Sequence, residues 1–568
     1  MQRFFPTLTA QLRRRSSPVP ERAARGYSLV TFLGLLIIFP LLCLSSPAPA
    51  AEGQGVDNKA LFESYAEALQ KIHAESGVPI NALQGILASV EPGLSDDDPE
   101  TTMEVLEAKA KDFSKILEDM KEYSGKDPEV LTIRKEARLN LERGNLAEAE
   151  KLFIAAREKN MQAAARGDDA RQRRLLAAED SADAAAVALL QVTYSSYRNA
   201  IDYYAEAAKV VEKSDPSHAH DYRLAQVRIL DVLASDFWDA GALDELGRLY
   251  PKIIKGMDAD KEPELWGDMN NSFGVILRDL AEQRGDKQLL FQAVEAHRQA
   301  LKVYSREKSR EEWTRTNVLL ANALRDIGSM DADKDRLREA ADCYRNALGE
   351  LKMEDIPEEW VFLQSSLANV FLELGRGEGG VDDLKNAVQT FRTALSVTPQ
   401  DQEPEDRASI QAGLGLALRL LGSEENSADN LRESVQVFRE VAKARTREND
   451  PMLWAATQNN LGSSLVSLAE LEKQPALLKE AIALYRAALE ERTRDASAND
   501  WAATQNNLGL ALHSLGAMQK NQKQLKEAEK AFLAALKVFT EQAAPPLHEL
   551  VKGNLADTRA LLRQMKKK

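Results

Sequence analysis

Few residues of this chain have the types and spacing to do chemistry. Histidine could hold a metal or move a proton, and the six are His73, His218, His220, His297, His513 and His548. Only His218 and His220 are close. Two residues apart is poor metal spacing, and a solvated loop between elements is the expected setting. Asp331, Asp333 and Asp335 begin like a calcium loop, but Arg336 stands where the sharp turn needs glycine and Asp342 where glutamate closes such a site. Capping of a helix that contains Leu337 explains these acids. Gly375-Arg376-Gly377-Glu378-Gly379-Gly380 lacks the Lys-Ser/Thr pair of a phosphate loop and follows a helical pattern, so it is expected to connect two helices. Cys343 has no neighbouring histidine to activate it and reads as a packed thiol. No catalytic constellation, metal or cofactor is expected.

The elements that would position any site are repetitive. Trp266, Trp313, Trp360, Trp454 and Trp501 fall on a 47-residue ladder, with Arg407 and His548 on the remaining rungs. Such a period means stacked units with equivalent residues at equivalent depths. Counting from each rung, offset 7 is large and apolar (Phe273, Leu320, Leu367, Leu414, Leu461, Leu508, Leu555) and offset 8 is small (Gly274, Ala321, Ala368, Gly415, Gly462, Gly509, Ala556). Offset 24 is leucine from Leu290 to Leu525, and offset 31 is His297, Tyr344, Phe391, Phe438, Tyr485 and Phe532. These offsets predict helix-packing positions around a shared core. Pro263, Pro357, Pro404, Pro451 and Pro545, at offset 44, mark the entry to each first helix. Gly328, Gly375, Gly422 and Gly516, at offset 15, are expected to close it. Each unit is then a helical hairpin with a long internal loop. Nine repeats are expected, counting weaker ones at 128–160 and around Tyr204 and Tyr250.

Outside the array, Arg3, Arg13, Arg14, Arg15, Arg22 and Arg25 precede an apolar run from Leu29 to Leu44, and Ala48-Pro49-Ala50 supplies small residues for cleavage. This is the pattern of an export signal cut after Ala50; the alternative is an uncleaved anchor in the inner membrane facing the periplasm. Cys43, behind bulky Leu42, is a poor lipidation site. Removing residues 1–50 leaves 68 basic and 88 acidic residues, a net charge of −20. So acidic a chain is a poor nucleic-acid partner. Only Cys343 would remain, so the mature chain has no internal disulfide. The expected division is 1–50 signal, 57–126 a small helical domain, 128–547 the repeat array and 548–568 a capping helix with a polar outer face.

Two strings, Trp454-Ala455-Ala456-Thr457-Gln458-Asn459-Asn460-Leu461-Gly462 and its copy from Trp501 to Gly509, resemble an extended tetratricopeptide class with kinesin-light-chain-type repeats. Residues 144–156, with Ala149, Phe153 and Ala156, resemble the second helix of the standard repeat. The resemblance covers about 128–568 and implies an all-α fold, a right-handed superhelical α-solenoid, that binds protein partners. It also implies that the added residues lengthen the loops and the second helix, and that offsets 5, 9 and 12 of each first helix face a concave groove. Those positions are Asn271, Asn459 and Asn506; Asn322 and Asn369; and Arg278, Arg325, Arg419 and His513. Asn can bond an extended backbone and Arg can fork onto a carboxylate. The expected partner is a protein or peptide segment with acidic side chains or a free carboxylate. Against this stands the plainer reading that the asparagines bridge neighbouring helices and the arginines pair locally.

The reading from sequence is therefore an exported, non-catalytic interaction scaffold of the periplasm, or secreted. The alternatives are an enzyme or effector with its activity in 57–126 and a self-assembling structural protein.

Overall fold

Amphipathic stripes at helical spacing, with proline at the entry of many helices, build the described part of the chain from helices alone. The computed structural model describes residues 68–89, 99–167, 169–237, 239–354, 356–377, 379–398 and 404–567. No strand occurs among them. The expected export signal, its cleavage point and Cys43 lie outside the described residues. The chain divides into two compact units, one ending at Val303 and one running from Tyr304 to Lys568.

In the N-terminal unit, α1 (68–76), α2 (Ile80–Leu87) and α3 (Pro99–Asp119) precede four hairpins. These are α4 (Pro128–Glu142) with α5 (Leu146–Ala165), α6 (Ala170–Ala188) with α7 (Tyr194–Val211), α8 (Pro216–Asp236) with α9 (Ala240–Gly256), and α10 (Pro263–Arg284) with α11 (Lys287–Ala300). The segment expected as a separate small domain shares its apolar core with the first hairpin: Leu83, Ile86, Leu106 and Phe113 pack with Ala137, Leu141 and Phe153. Gly144 permits this approach. Its φ is +80°, and a Cβ there would collide with the backbone of Asn81 on α2. Tyr204 and Tyr250 fill the second-helix aromatic positions and are buried.

In the C-terminal unit the hairpins are α12 (Arg310–Asp331) with α13 (Lys334–Leu348), α14 (Pro357–Leu374) with α15 (Val381–Val397), α16 (Pro404–Glu424) with α17 (Ala428–Ala444), α18 (Pro451–Glu472) with α19 (Pro475–Glu491), and α20 (Ala498–Gln519) with α21 (Gln522–Ala535). A single helix, α22 (Pro545–Lys567), follows. Each second helix packs on the next first helix, and consecutive first helices touch, which makes this unit a continuous stack. The aromatic at offset 31 lies over the small residue at offset 8. A Cβ on Gly415 would come within 2.8 Å of the Phe438 ring, on Gly462 within 2.9 Å of Tyr485, and on Gly509 within 2.6 Å of Phe532. On α22 the equivalent Ala556 is exposed, as a terminal cap requires.

Two expectations about the hairpin are corrected. The offset-15 glycines do not end the first helix, Gly375 excepted. Gly328, Gly422 and Gly516 lie inside it, where a Cβ would press on Leu337, Leu431 and Leu525 of the second helix, each at 2.8 Å. The turn is made instead at offset 19, in the left-handed conformation, by Gly285, Ala332, Gly379, Asn426, Lys473 and Lys520. Nor is the internal loop long. Ala332–Asp333, Lys473–Gln474 and Lys520–Asn521 are whole connections. The added length lies in the first helix, 22 residues in α10, α12, α18 and α20, and in the segments between hairpins. From α9 onward the second helices have 14 to 17 residues.

Where the rung is not Trp, its side chain ties down the end of the preceding second helix. Arg407 donates to Leu395 O (3.1 Å) and Thr398 O (2.7 Å), and His548 Nδ1–H to Phe539 O (2.9 Å). Outward-facing second helices are linked by ion pairs that repeat with the ladder: Arg392 with Glu433 (2.7 Å), Arg439 with Glu480 (2.9 Å) and Arg486 with Glu527 (3.0 Å). Exposed pairs of this kind contribute about 0.2–1 kcal/mol each. They tie each second helix to the next.

One partly buried acid gives the N-terminal unit a pH dependence. Burial raises the Asp231 carboxyl to about 7, and the Tyr250 hydroxyl, 3.4 Å from Oδ2, only partly offsets this. The raised value means that the cost of holding the carboxylate is absent below the unfolded value near 3.8 and complete above about 7. Asp231→Asn is therefore expected to stabilise the unit by about 2 kcal/mol at pH 8 and by little at pH 4. Chemical denaturation at the two pH values checks this, and an equal gain at both would contradict it.

Candidate functional site

The nine residues expected to face a groove are divided between the units: Asn271 and Arg278 on α10, the rest on first helices of the C-terminal unit. Asn271 is turned into the core. It is 2% exposed, and its Oδ1 accepts from His297 Nδ1 at 3.1 Å. Arg278 lies beside Asp279, a carboxyl that burial raises to about 6 and Arg278 pulls down.

In the C-terminal unit most of the expected residues bridge neighbours. Asn459 accepts from Asn507 Nδ2 and Asn506 from Asn554 Nδ2, both at 3.1 Å, so these pairs link consecutive first helices. Asn322 Oδ1 accepts the Tyr344 hydroxyl at 2.5 Å. His513 Nδ1–H donates to Thr558 Oγ1 (2.9 Å), whose own proton goes to Asn554 O. Arg325 is paired with Asp326 at 2.8 Å, and its guanidinium is held charged first by Tyr344 and then by that acid.

Asn369 and Arg419 differ from these. Asn369 Oδ1 is buried and accepts no hydrogen bond among the described residues. Arg419 on α16 is half-buried and has neither an ion pair nor a hydrogen bond among them. Burial pushes its pKa down; Tyr485 on α19 favours the charge, and Arg376 at the end of α14 opposes it. Arg376 itself reaches Glu373 at 3.3 Å. Sequence reasoning singled out Arg419 but missed Arg376 and Tyr485, which were read as a connection residue and a core aromatic. The arrangement is a desolvated cation without its anion. A carboxylate entering here would meet a guanidinium able to donate two hydrogen bonds.

The residues weighed for other chemistry lie in helices and in the turns between them. His218 and His220 lie in the first turns of α8 rather than in a loop, with His218 Nδ1 2.8 Å from Asp215. Asp333 caps α13, accepting from Asp335 N (3.0 Å) and Arg336 N (3.2 Å). Gly375–Gly380 joins α14 to α15, with Gly377 and Gly379 at φ +89° and +80°. Cys343 is buried in α13.

No protein-family model matches the chain, and no curated protein matches it. Solved structures with a similar fold include BtubC (BKLC) from P. vanneervenii, 19% identical, covering 44% of this chain and 90% of that one with a TM-score of 0.30. Another is the C-terminal part of a TPR repeat-containing protein from Cytophaga hutchinsonii, 14% identical, covering 58% and 99% with a TM-score of 0.34. A third is the TPR domain of P58(IPK), 16% identical, covering 78% and 100% with a TM-score of 0.21. These are likenesses of fold alone; the helical-hairpin repeat is established by the helix pairing of the chain itself.

Proposed function

We propose that this chain is an exported, non-catalytic protein-interaction scaffold that holds an extended partner segment along the first helices of its C-terminal unit, with a carboxylate of that segment on Arg419. The observation that carries this reading is Arg419 itself. An unpaired, partly buried cation destabilises the fold that holds it, and a charge kept at such a cost has a use for an anion. The asparagine links between first helices keep the surface rigid, which lowers the ordering entropy lost on binding. The arginine-rich leader, apolar run and small residues at 1–50, read as an export signal, support a periplasmic or secreted location. Mass spectrometry of the mature chain from the cell envelope should give an N-terminus at Ala51; an intact N-terminus would favour the anchored form.

Arg419→Met separates a binding cation from a structural one. The substitution keeps the aliphatic bulk and removes the unpaired charge, so it is expected to raise stability by about 1 kcal/mol in urea denaturation while weakening capture of acidic peptides. A loss of stability would mean that Arg419 is a structural residue.

A further inference from the structure

Two arginines end successive second helices of the C-terminal unit at equivalent positions, 47 residues apart. Arg445 follows α17 and Arg492 follows α19, with their backbone N–H groups on Val441 O and Ala488 O. They are 5% and 4% exposed. The charge of Arg445 is met from the start of its own hairpin: Nε and Nη2 donate to Glu405 Oε1 at 3.0 and 2.7 Å, and Nη2 also to Ser409 Oγ at 2.8 Å. In the next hairpin Met452 and Ala456 hold the places of those two residues.

Arg492 is therefore left with less. Its Nη1 donates to Thr504 Oγ1 at 3.3 Å and lies 4.0 Å from Asp500 Oδ1, both on α20. Nε is buried with no hydrogen-bond partner, and Nη2 has none among the described residues. The open edge is the one that holds Glu405 in the preceding hairpin. Ser497 Oγ in the same junction is also buried and unpartnered, whereas its equivalent, Asp450, accepts from Leu453 N at 2.8 Å. A guanidinium desolvated without its anion destabilises the fold that carries it. Burial pushes the Arg492 pKa down, and Asp500 only partly opposes this.

We propose that the Nε–Nη2 edge of Arg492 binds a carboxylate from outside the chain, seated as Glu405 is seated on Arg445. The ligand is either a small free carboxylate or a glutamate side chain of a partner protein. Met452, in the place of Glu405, is 36% exposed, and its unbranched thioether adapts to an entering group. Two parallel N–H donors fit a carboxylate in orientation as well as in charge. The site is separate from Arg419, which lies on α16.

Thermal unfolding of the full chain carrying Arg419→Met, which removes the other carboxylate site, tests this. The probes are sodium propionate against sodium chloride at equal ionic strength, and the blocked tripeptide Ala-Glu-Ala against Ala-Gln-Ala. A saturable rise in the midpoint of the C-terminal unit is expected with propionate, the Glu peptide or both, and none with the Gln peptide. Propionate alone would identify a free carboxylate as the ligand, and the peptide alone a side chain. Met452→Glu, which supplies the acid internally, should itself raise the midpoint by several degrees and abolish the response, as Arg492→Met also should. No response to either carboxylate at tens of millimolar, a response that survives in either variant, or a Met452→Glu midpoint no higher than its parent's would overturn the proposal.

Discussion

Phe438→Ala is expected to lower the stability of the C-terminal unit by about 3–5 kcal/mol, the range for a large aromatic removed from a close-packed core. Phe438 is fully buried, and its ring lies against Gly415, a position with no Cβ to fill the resulting cavity. The Ser434 hydroxyl of α17 donates to Gly415 O of α16 at 2.7 Å, so the two helices are already held together there and the site has little means of collapsing. Trp454→Ala should cost less, about 1–2 kcal/mol, because that side chain is only half-buried and the Arg407 rung tolerates its absence. Urea denaturation of both variants makes the comparison. A larger loss from Trp454 would mean that the ladder residue, not the offset-31 aromatic, holds the hairpins together.

Arg134→Ala is expected to cost the N-terminal unit a similar amount, about 3–5 kcal/mol, by a different mechanism. The guanidinium on α4 reaches Asp180 at 2.5 Å and Asp183 at 2.6 Å, both on α6, and lies 3.8 Å above the Tyr123 ring. Burial pushes both carboxyls up, and the arginine is what favours their charged form. Truncating it leaves two carboxylates desolvated and close together. Arg134→Met combined with Asp180→Asn and Asp183→Asn should recover much of the loss, since the penalty comes from uncompensated charge rather than from missing contacts. Failure of the triple variant to improve on Arg134→Ala in thermal denaturation would contradict this account.

The hairpins were legible because burial is periodic: offsets 7, 24 and 31 repeat as Leu, Leu and aromatic, and a helix buries only such a stripe. The turn was not legible. At offset 19 the left-handed residue is Gly285 or Gly379 in two units but Ala332, Lys473 and Lys520 in others, so residue type carries no common signal while the conformation does. The offset-15 glycines misled for the same reason. They look like helix terminators, yet they serve the approach of Leu337, Leu431 and Leu525, a contact set by tertiary packing. The asparagines at offset 5 were polar enough to suggest a ligand, but Asn459 and Asn506 are satisfied from the next first helix, a partner 48 residues away in each case. Arg419 could be named from its offset; that no acid reaches it could not.

Selection of random decapeptides on the full chain tests the central claim most directly, because it assumes no partner. Enrichment of sequences with acidic side chains or a recurrent C-terminal residue is expected. Peptides so selected should bind Arg419→Met at least 10-fold more weakly, with no change for Arg166→Met, a substitution of an exposed arginine in the other unit. Selection that enriches no acidic or C-terminal signature, or peptides that bind Arg419→Met as they bind the parent chain, would contradict it.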